Sequence, residues 1–323
     1  MNKIIAMILA VVMLSLAFVS CNGKVDDNVE VRTIVLKGPT GMGMAKLMDD
    51  KENGKTDINY SFTIATSPTE VNPEVLGKRV DIAAVPINLA PTLLNKGADI
   101  SVVAVNTLSV LYILENGNEI KSFEDLRGKT IYAAGQGSTP EYIFRYLLEK
   151  NGISDDEIEI IFCADGSEVA SNLVAGKATV GLIPEPSVTS ALSSDKSGNV
   201  RIALDINEEW KKVSDTPIVQ GVIIASNDFI RDHKAVLDEF LEEYKSSVDF
   251  ANENLDEAAA LIEKFGIVPK AAVAKKALPN CNICCYTGAE AKAMISDMLN
   301  VLYGANPASV GGNLPGDSFY YEK

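Results

Sequence analysis

One histidine, His233, stands in the whole chain, and without others little is left for general-base chemistry near neutral pH except carboxylates. It lies in the charged stretch DFIRDHKAVLDEF and reads as a solvent-facing helix residue. The chain also lacks a G-x-S-x-G elbow, an H-E-x-x-H pair and an Asp/Asn-rich calcium loop. The carboxylate pairs Asp155–Asp156 and Glu208–Glu209 sit in polar stretches and read as solvated charge, so no enzyme activity is expected. Basic residues are scarce too, 29 against 44 acidic, for a net charge of −15. Such a chain is repelled by phosphate backbones and anionic lipid head groups, which excludes nucleic acid as a partner and excludes membrane-surface binding other than through a lipid. Beyond residue 20 no apolar run is long enough to span a bilayer. Cysteine is sparse: past Cys21 only Cys163, Cys281, Cys284 and Cys285 remain. With no fourth ligand or nearby His these read as buried thiols, or as one disulfide from Cys281 to Cys284 or Cys285, rather than as a metal site. No cofactor is expected.

The one long apolar stretch is at the start. Lys3 precedes Ile4 to Val19, broken only by Ser15, and then comes Ser20-Cys21. A positive end, an apolar run of about 16 residues and a small residue before the cut form a signal peptide, short for a membrane span of roughly 20. Phe18-Val19-Ser20-Cys21 resembles a bacterial lipobox, in which Cys21 would be acylated and become the mature N-terminus; plain secretion is the alternative. The polar Asn22 to Asn28 would then tether a lipid-anchored domain on the extracytoplasmic face of the cell membrane.

The rest of the chain repeats itself about 98 residues apart. Thr66 to Val71 aligns with Ala164 to Val169, Pro86 with Pro184, Gly38 with Gly135 and Gly77 with Gly176. In each copy a β-rich run (Thr33 to Leu36; Thr130 to Ala134) ends in a Gly-rich turn and opens a helix. A second strand follows (Tyr60 to Ala65; Glu157 to Cys163), then a helix closing on Gly-Lys, a third strand and a proline-bearing turn. Any two βαβ units share the alternation, but these also keep Gly, Gly-Lys, Glu-Val and Pro in register. Two like α/β lobes then face each other across a cleft, with ligands bound beyond the carboxyl ends of the strands.

This divides the chain into residues 1–21 (signal peptide and acylated Cys), 22–108 (first part of lobe one), 109–217 (lobe two) and 218–323 (second part of lobe one). After the strand Ile218 to Ala225 the chain turns helical over His233 to Glu253, Leu255 to Phe265 and Ala289 to Tyr303, which have no sheet of their own and are expected to pack back on lobe one. Crossings near Thr107 to Val110 and Thr216 to Gly221 would form a two-strand hinge.

Chemistry is expected at the turns. Lys37 to Gly43 and Gly135 to Pro140 each end a strand and start a helix, where glycines let backbone N–H groups approach a ligand and the helix start favours negative charge. Neither is a nucleotide loop, because Met44-Ala45 stands where a P-loop needs Lys-Ser/Thr and Pro140 takes the place of a third glycine. Both can equally be tight, well-capped turns. Asn88 can donate and accept, whereas Glu185 as a carboxylate only accepts, which suits a ligand with N–H groups or positive charge. A Glu at a helix start, held by the macrodipole, is the alternative.

Four segments carry a resemblance: VDIAAVPINLAPTLLNKG (Val80 to Gly97), KSFEDLRGKTIYAAGQGSTPEY (Lys121 to Tyr142), VGLIPEPSVTSAL (Val180 to Leu192) and SVGGNLPGDSFYY (Ser309 to Tyr321). They resemble the solute-binding lipoproteins of ABC importers, in the nitrate, sulfonate and taurine branch that also holds thiamine-precursor binders. The resemblance implies a type II periplasmic-binding-protein fold, two α/β lobes with a two-strand hinge. It implies a monomer that captures a small solute and delivers it to an ABC permease and its ATPase. It would line the pocket with Gly41, Met42, Thr66, Ser67, Asn88, Asn106, Thr107, Gln136, Ser138, Thr139 and Glu185. No Arg stands at these turns to clamp an anion bidentately, and Lys37 is the only nearby cation, which favours a neutral or amine-bearing organic solute. A thiamine-precursor-synthase-like enzyme and a sensory or adhesin lipoprotein are the competing readings.

Overall fold

Apolar runs alternating with amphipathic stretches build two helix-flanked sheets in the computed structural model, which describes residues 29–322. The signal peptide, Cys21 and the tether to Asn28 lie outside the described residues. The first sheet holds β1 (Glu30–Leu36), β2 (Asn59–Ala65), β3 (Ile82–Pro86) and β4 (Ile100–Leu108), joined late in the chain by β10 (Val219–Ser226) and β11 (Ile283–Tyr286). Its order is β11-β4-β10-β3-β1-β2. The second sheet holds β5 (Leu111–Asn116), β6 (Thr130–Ala133), β7 (Glu159–Phe162), β8 (Val180–Pro184) and β9 (Val200–Asp205), in the order β7-β6-β8-β5-β9.

The sequence repeat is visible as topology. In the first sheet β1 lies between β2 and β3, parallel to both, and β10 runs antiparallel beside β3. In the second, β6 lies between β7 and β8, parallel to both, and β5 runs antiparallel beside β8. These central strands are buried on both faces, and their runs are accordingly almost wholly apolar, as in IAAVP of β3 and VGLIP of β8.

Helices α1 (Pro39–Met42), α2 (Ala45–Glu52), α3 (Pro68–Leu76) and α4 (Leu89–Asn95) belong to the first half. The second sheet carries α5 (Thr139–Lys150), α6 (Gly166–Val174), α7 (Ser187–Ser194) and α8 (Ile206–Lys211). The C-terminal third adds α9 (Asn227–Asp232), α10 (Lys234–Glu253), α11 (Leu255–Lys264), α12 (Ala271–Ala277) and α13 (Gly288–Ala305). Along α10 the apolar residues Val236, Leu237, Phe240, Leu241, Tyr244, Val248 and Ala251 recur at three- and four-residue spacing, and all are buried. That stripe faces α2, where Ser247 Oγ donates to the Gly43 carbonyl at 2.6 Å and accepts from Leu47 N at 3.0 Å. In α13, Ala291, Ile295, Met298, Leu299 and Leu302 are buried, and the helix packs on both β4 and α5. One late helix therefore touches both lobes. The two sheets are joined by the short step from β4 to β5 and by residues 212–218 between α8 and β10.

Candidate functional site

Three parallel strands in each lobe end in turns that open helices: β1, β2 and β3 lead to α1, α3 and α4, and β6, β7 and β8 lead to α5, α6 and α7. Gly38 (φ +86°) and Gly135 (φ +82°) take left-handed backbone at equivalent places, a conformation that a side chain would strain.

The lobes meet at these turns. Thr139, fully buried at the start of α5, donates its hydroxyl to Asn88 Oδ1 at the start of α4, at 3.1 Å. Behind Asn88, on β4, Asn106 and Thr107 are fully buried. Asn106 Nδ2 donates to the Thr40 carbonyl at 3.1 Å, and Thr107 Oγ1 donates to Asn106 Oδ1 at 3.2 Å. A Cβ on Gly221 of β10 would lie 2.5 Å from that Asn106 oxygen, so β10 passes here only because residue 221 has no side chain.

Glu185 forms a second junction. Its side chain is buried, with Oε2 accepting from Thr189 N at 3.0 Å and Oε1 from Thr189 Oγ1 at 3.0 Å. Asn280 Nδ2, from the segment before β11 and hence from the first lobe, approaches Oε1 at 3.5 Å. Burial pushes the carboxyl above its ordinary range, although the hydrogen bonds from Thr189 and Asn280 oppose the shift. Tyr112 and Cys281 lie close enough for the Glu185 charge to help raise their own values, after burial. Glu185 N donates to Val110 O, and the neighbouring Ser109 carbonyl accepts from Asn282 Nδ2. Ser109 Oγ, on the step from β4 to β5, and Gln220 Oε1, at the start of β10, are buried atoms with no hydrogen-bond partner.

The remaining expected residues are placed differently. Met42 is fully buried and packs into the first lobe's apolar core with Tyr244 and Ile283, because the four-residue α1 turns its side chain inward. Gly41 is buried against the backbone, where a Cβ would sit 2.4 Å from the Leu36 carbonyl oxygen. Thr66 is exposed and Ser67 half-buried at the end of the edge strand β2, and both bind Glu70 of their own helix. Gln136 is exposed, and Ser138 Oγ turns back to the Gly135 carbonyl. Asn280, Asn282, Ser109, Gln220 and Tyr112 join the junction unforeseen. The run Pro279-Asn280-Cys281-Asn282 was the available signal, with Asn282 at φ +44°.

Several helix starts hold a carboxylate of their own. Glu70 accepts from Thr66 N at 3.3 Å and from the Thr66 hydroxyl, Glu141 from Gly137 N at 2.7 Å, and Glu168 from Ala164 N at 2.7 Å. The hydroxyl of Thr66, and then its N–H, lowers the Glu70 carboxyl below its ordinary value.

Cys163, Cys281, Cys284 and Cys285 are free thiols, and Cys284 and Cys285 lie in β11. Burial pushes Cys284 up to about 12 and Cys285 to about 11, so neither is a thiolate near neutrality. His233 is half-buried at the junction of α9 and α10, its ring 5.6 Å from that of Phe229. Among the described residues no group of three or more His, Cys, Asp or Glu is placed to hold a metal.

A sequence model of NMT1/THI5-like proteins matches residues 63–258. No curated protein sequence matches the chain. Among solved structures, an ABC transporter protein from Parabacteroides distasonis superposes with a TM-score of 0.77 at 23% identity, covering 92% of this chain and 100% of that one. The periplasmic aliphatic sulphonate binding protein SsuA of Escherichia coli superposes with a TM-score of 0.71 at 18% identity, covering 91% and 96%. The alkanesulfonate-binding protein SsuA of Xanthomonas axonopodis pv. citri, bound to MOPS, gives 0.66 at 15% identity, covering 86% and 94%. The architecture is that of the periplasmic binding proteins, as the sequence implies.

Proposed function

The chain belongs to the NMT1/THI5-like family, and from that membership we propose that it is the extracytoplasmic solute-binding component of an ABC importer. It holds a small organic solute between its lobes and delivers it to a membrane permease. The observation that carries this reading is the meeting of strand-end turns across the lobes, Thr139 after β6 on Asn88 after β3 at 3.1 Å, with buried polar side chains on β4 nearby. Polar groups gathered at the carboxyl ends of two facing sheets can hold a solute on both sides, and contact with both lobes favours the closed state by the difference in affinity between states. An enzymatic reading has less support. His233 follows β10 at the end that pairs with the start of β3, whereas Asn88 follows the other end of β3.

Native mass spectrometry of the purified full-length chain tests the reading, with one small organic molecule retained per protein as the expected result. Scattering with and without that solute should show the radius of gyration falling on binding, and an unchanged radius counts against lobe closure.

The anchoring belongs to the same proposal and rests on Phe18-Val19-Ser20-Cys21. Acyl chains on Cys21 would supply the whole membrane affinity, since a single chain binds only marginally and two anchor stably. Cys21→Ala is expected to move the protein from the membrane fraction to the soluble one. A variant that stays membrane-bound and carries no lipid would show the anchor to lie elsewhere.

A further inference from the structure

Two of the solved neighbours named above bind sulphonates, and a sulphonate needs N–H donors or cations that are free to receive it. At the strand ends of this chain carboxylates already stand beside those donors. Of the six helices that start there, four hold a carboxylate of the chain's own at the start: Glu185 accepts from Thr189 N in the first turn of α7, and Glu70, Glu141 and Glu168 accept from Thr66, Gly137 and Ala164 N, each just before its cap. The starts of α1 and α4 hold no such carboxylate, and at α4 the Asn88 amide oxygen accepts from Thr139. The cations nearby are few. Arg145 is held by Glu141 at 2.8 Å and by Asp155 at 2.9 Å, and Lys37 is exposed. A sulphonate arriving at three of these turns would meet a tethered like charge, and at the fourth a buried one.

What the junction does offer is acceptors. Glu185 is buried with three hydrogen bonds and no cation among them; the unpartnered Ser109 Oγ is next in sequence to Val110, whose carbonyl accepts from Glu185 N, and a second unpartnered atom, Gln220 Oε1, stands at the start of β10. A carboxylate has more lone-pair sites than Thr189 and Asn280 fill, and an amide oxygen accepts only. We propose that the interlobe site selects a solute presenting several N–H donors or a positive charge, such as an amidine or an amino-heteroaromatic ring, and rejects sulphonates and other anions. Glu185 is the residue that recognises it, and Glu70, Glu141 and Glu168 set the selection against negative charge.

This rests on the solute-binding reading, and the test separates the two. The purified full-length chain is titrated by calorimetry with benzamidinium and with benzenesulphonate, two probes of the same ring and opposite charge, while mass spectrometry gives the net charge of the copurified solute. Benzamidinium should bind at least about tenfold more tightly, and Glu185→Gln should remove about that factor, the scale of one hydrogen bond to a charged group. In the triple variant Glu70→Gln, Glu141→Gln, Glu168→Gln the amide oxygens still accept from Thr66, Gly137 and Ala164, so folding is expected to persist, checked by circular dichroism. Benzenesulphonate affinity should rise about tenfold in it as the like charges go. An anionic copurified solute, or benzenesulphonate binding wild type as tightly as benzamidinium, overturns this inference and leaves the solute-binding reading standing. If neither probe binds, the charge of the copurified solute decides alone. No copurified solute and no probe binding would overturn both.

Discussion

Trp210→Ala is expected to destabilise the protein by about 3–5 kcal/mol, the usual cost of removing a large aromatic side chain from a packed interior. Trp210 is the only tryptophan, it is 1% exposed, and its ring lies 5.0 Å from that of Tyr146 on α5. Its Nε1 donates to the Thr216 carbonyl at 2.7 Å, on the segment that returns the chain to the first lobe. Alanine would leave a cavity under α8 and an unpaired carbonyl on the crossing, so the loss falls where the lobes are joined. Trp210→Phe keeps most of the volume and loses only the hydrogen bond, which contributes about 1 kcal/mol. Urea unfolding followed by circular dichroism should order the three proteins wild type, Phe, Ala, and a Phe variant as damaged as the Ala variant would assign the effect to the hydrogen bond rather than to packing. Because Trp210 is the sole indole at a crossing, wild-type fluorescence should also shift when solute closes the lobes.

Much of this architecture is written in local pattern. The strand read at Ile218 to Ala225 is Val219–Ser226, and the helix read at Leu255 to Phe265 is Leu255–Lys264, because a period of two or of three to four residues is a property of the neighbouring sequence alone. Side-chain direction within a turn is not. Met42 has the right place in the first glycine-rich turn, yet one turn of helix swings it into the core, and only the three-dimensional path decides that. Partners distant in sequence are equally hidden. Asn280 reaches Glu185 across 95 positions, and Asn282 reaches Ser109 across 173. The thiol cluster shows the reverse case, where residue types suggest chemistry and the structure uses Cys284 and Cys285 as ordinary members of an edge strand. The carboxylates at the helix starts went unread, although a local signal for them exists. Ser67-Pro68-Thr69-Glu70, Ser138-Thr139-Pro140-Glu141 and Asp165-Gly166-Ser167-Glu168 each place a Glu three residues after a capping residue, the spacing of a capping box. In the structure each Glu reaches one residue further back, to the N–H before the cap.

Glu185→Gln should raise stability at neutral pH while it weakens solute binding. Burial without a cation holds the Glu185 carboxyl above its ordinary value, so the folded chain keeps its proton at a pH where the unfolded chain has released it. The stability this contributes is fully present below the unfolded value and is lost as pH rises through the folded one. Glutamine carries no such charge and can keep the geometry. Its oxygen accepts from Thr189 N, and its NH₂ donates to the Thr189 hydroxyl and, once the Asn280 amide turns over, to its oxygen. With solute first removed by unfolding and refolding, the urea midpoints of the two proteins should nearly coincide at pH 4 and diverge as pH rises. At pH 7.5 the variant should be the more stable by on the order of 1 kcal/mol, the scale of a buried polar group whose bonding is incomplete. A variant less stable than wild type at both pH values would mean that the carboxylate is a structural cap for α7. A gain in stability joined to a loss of affinity instead marks a residue whose cost to the fold is offset only when solute is bound.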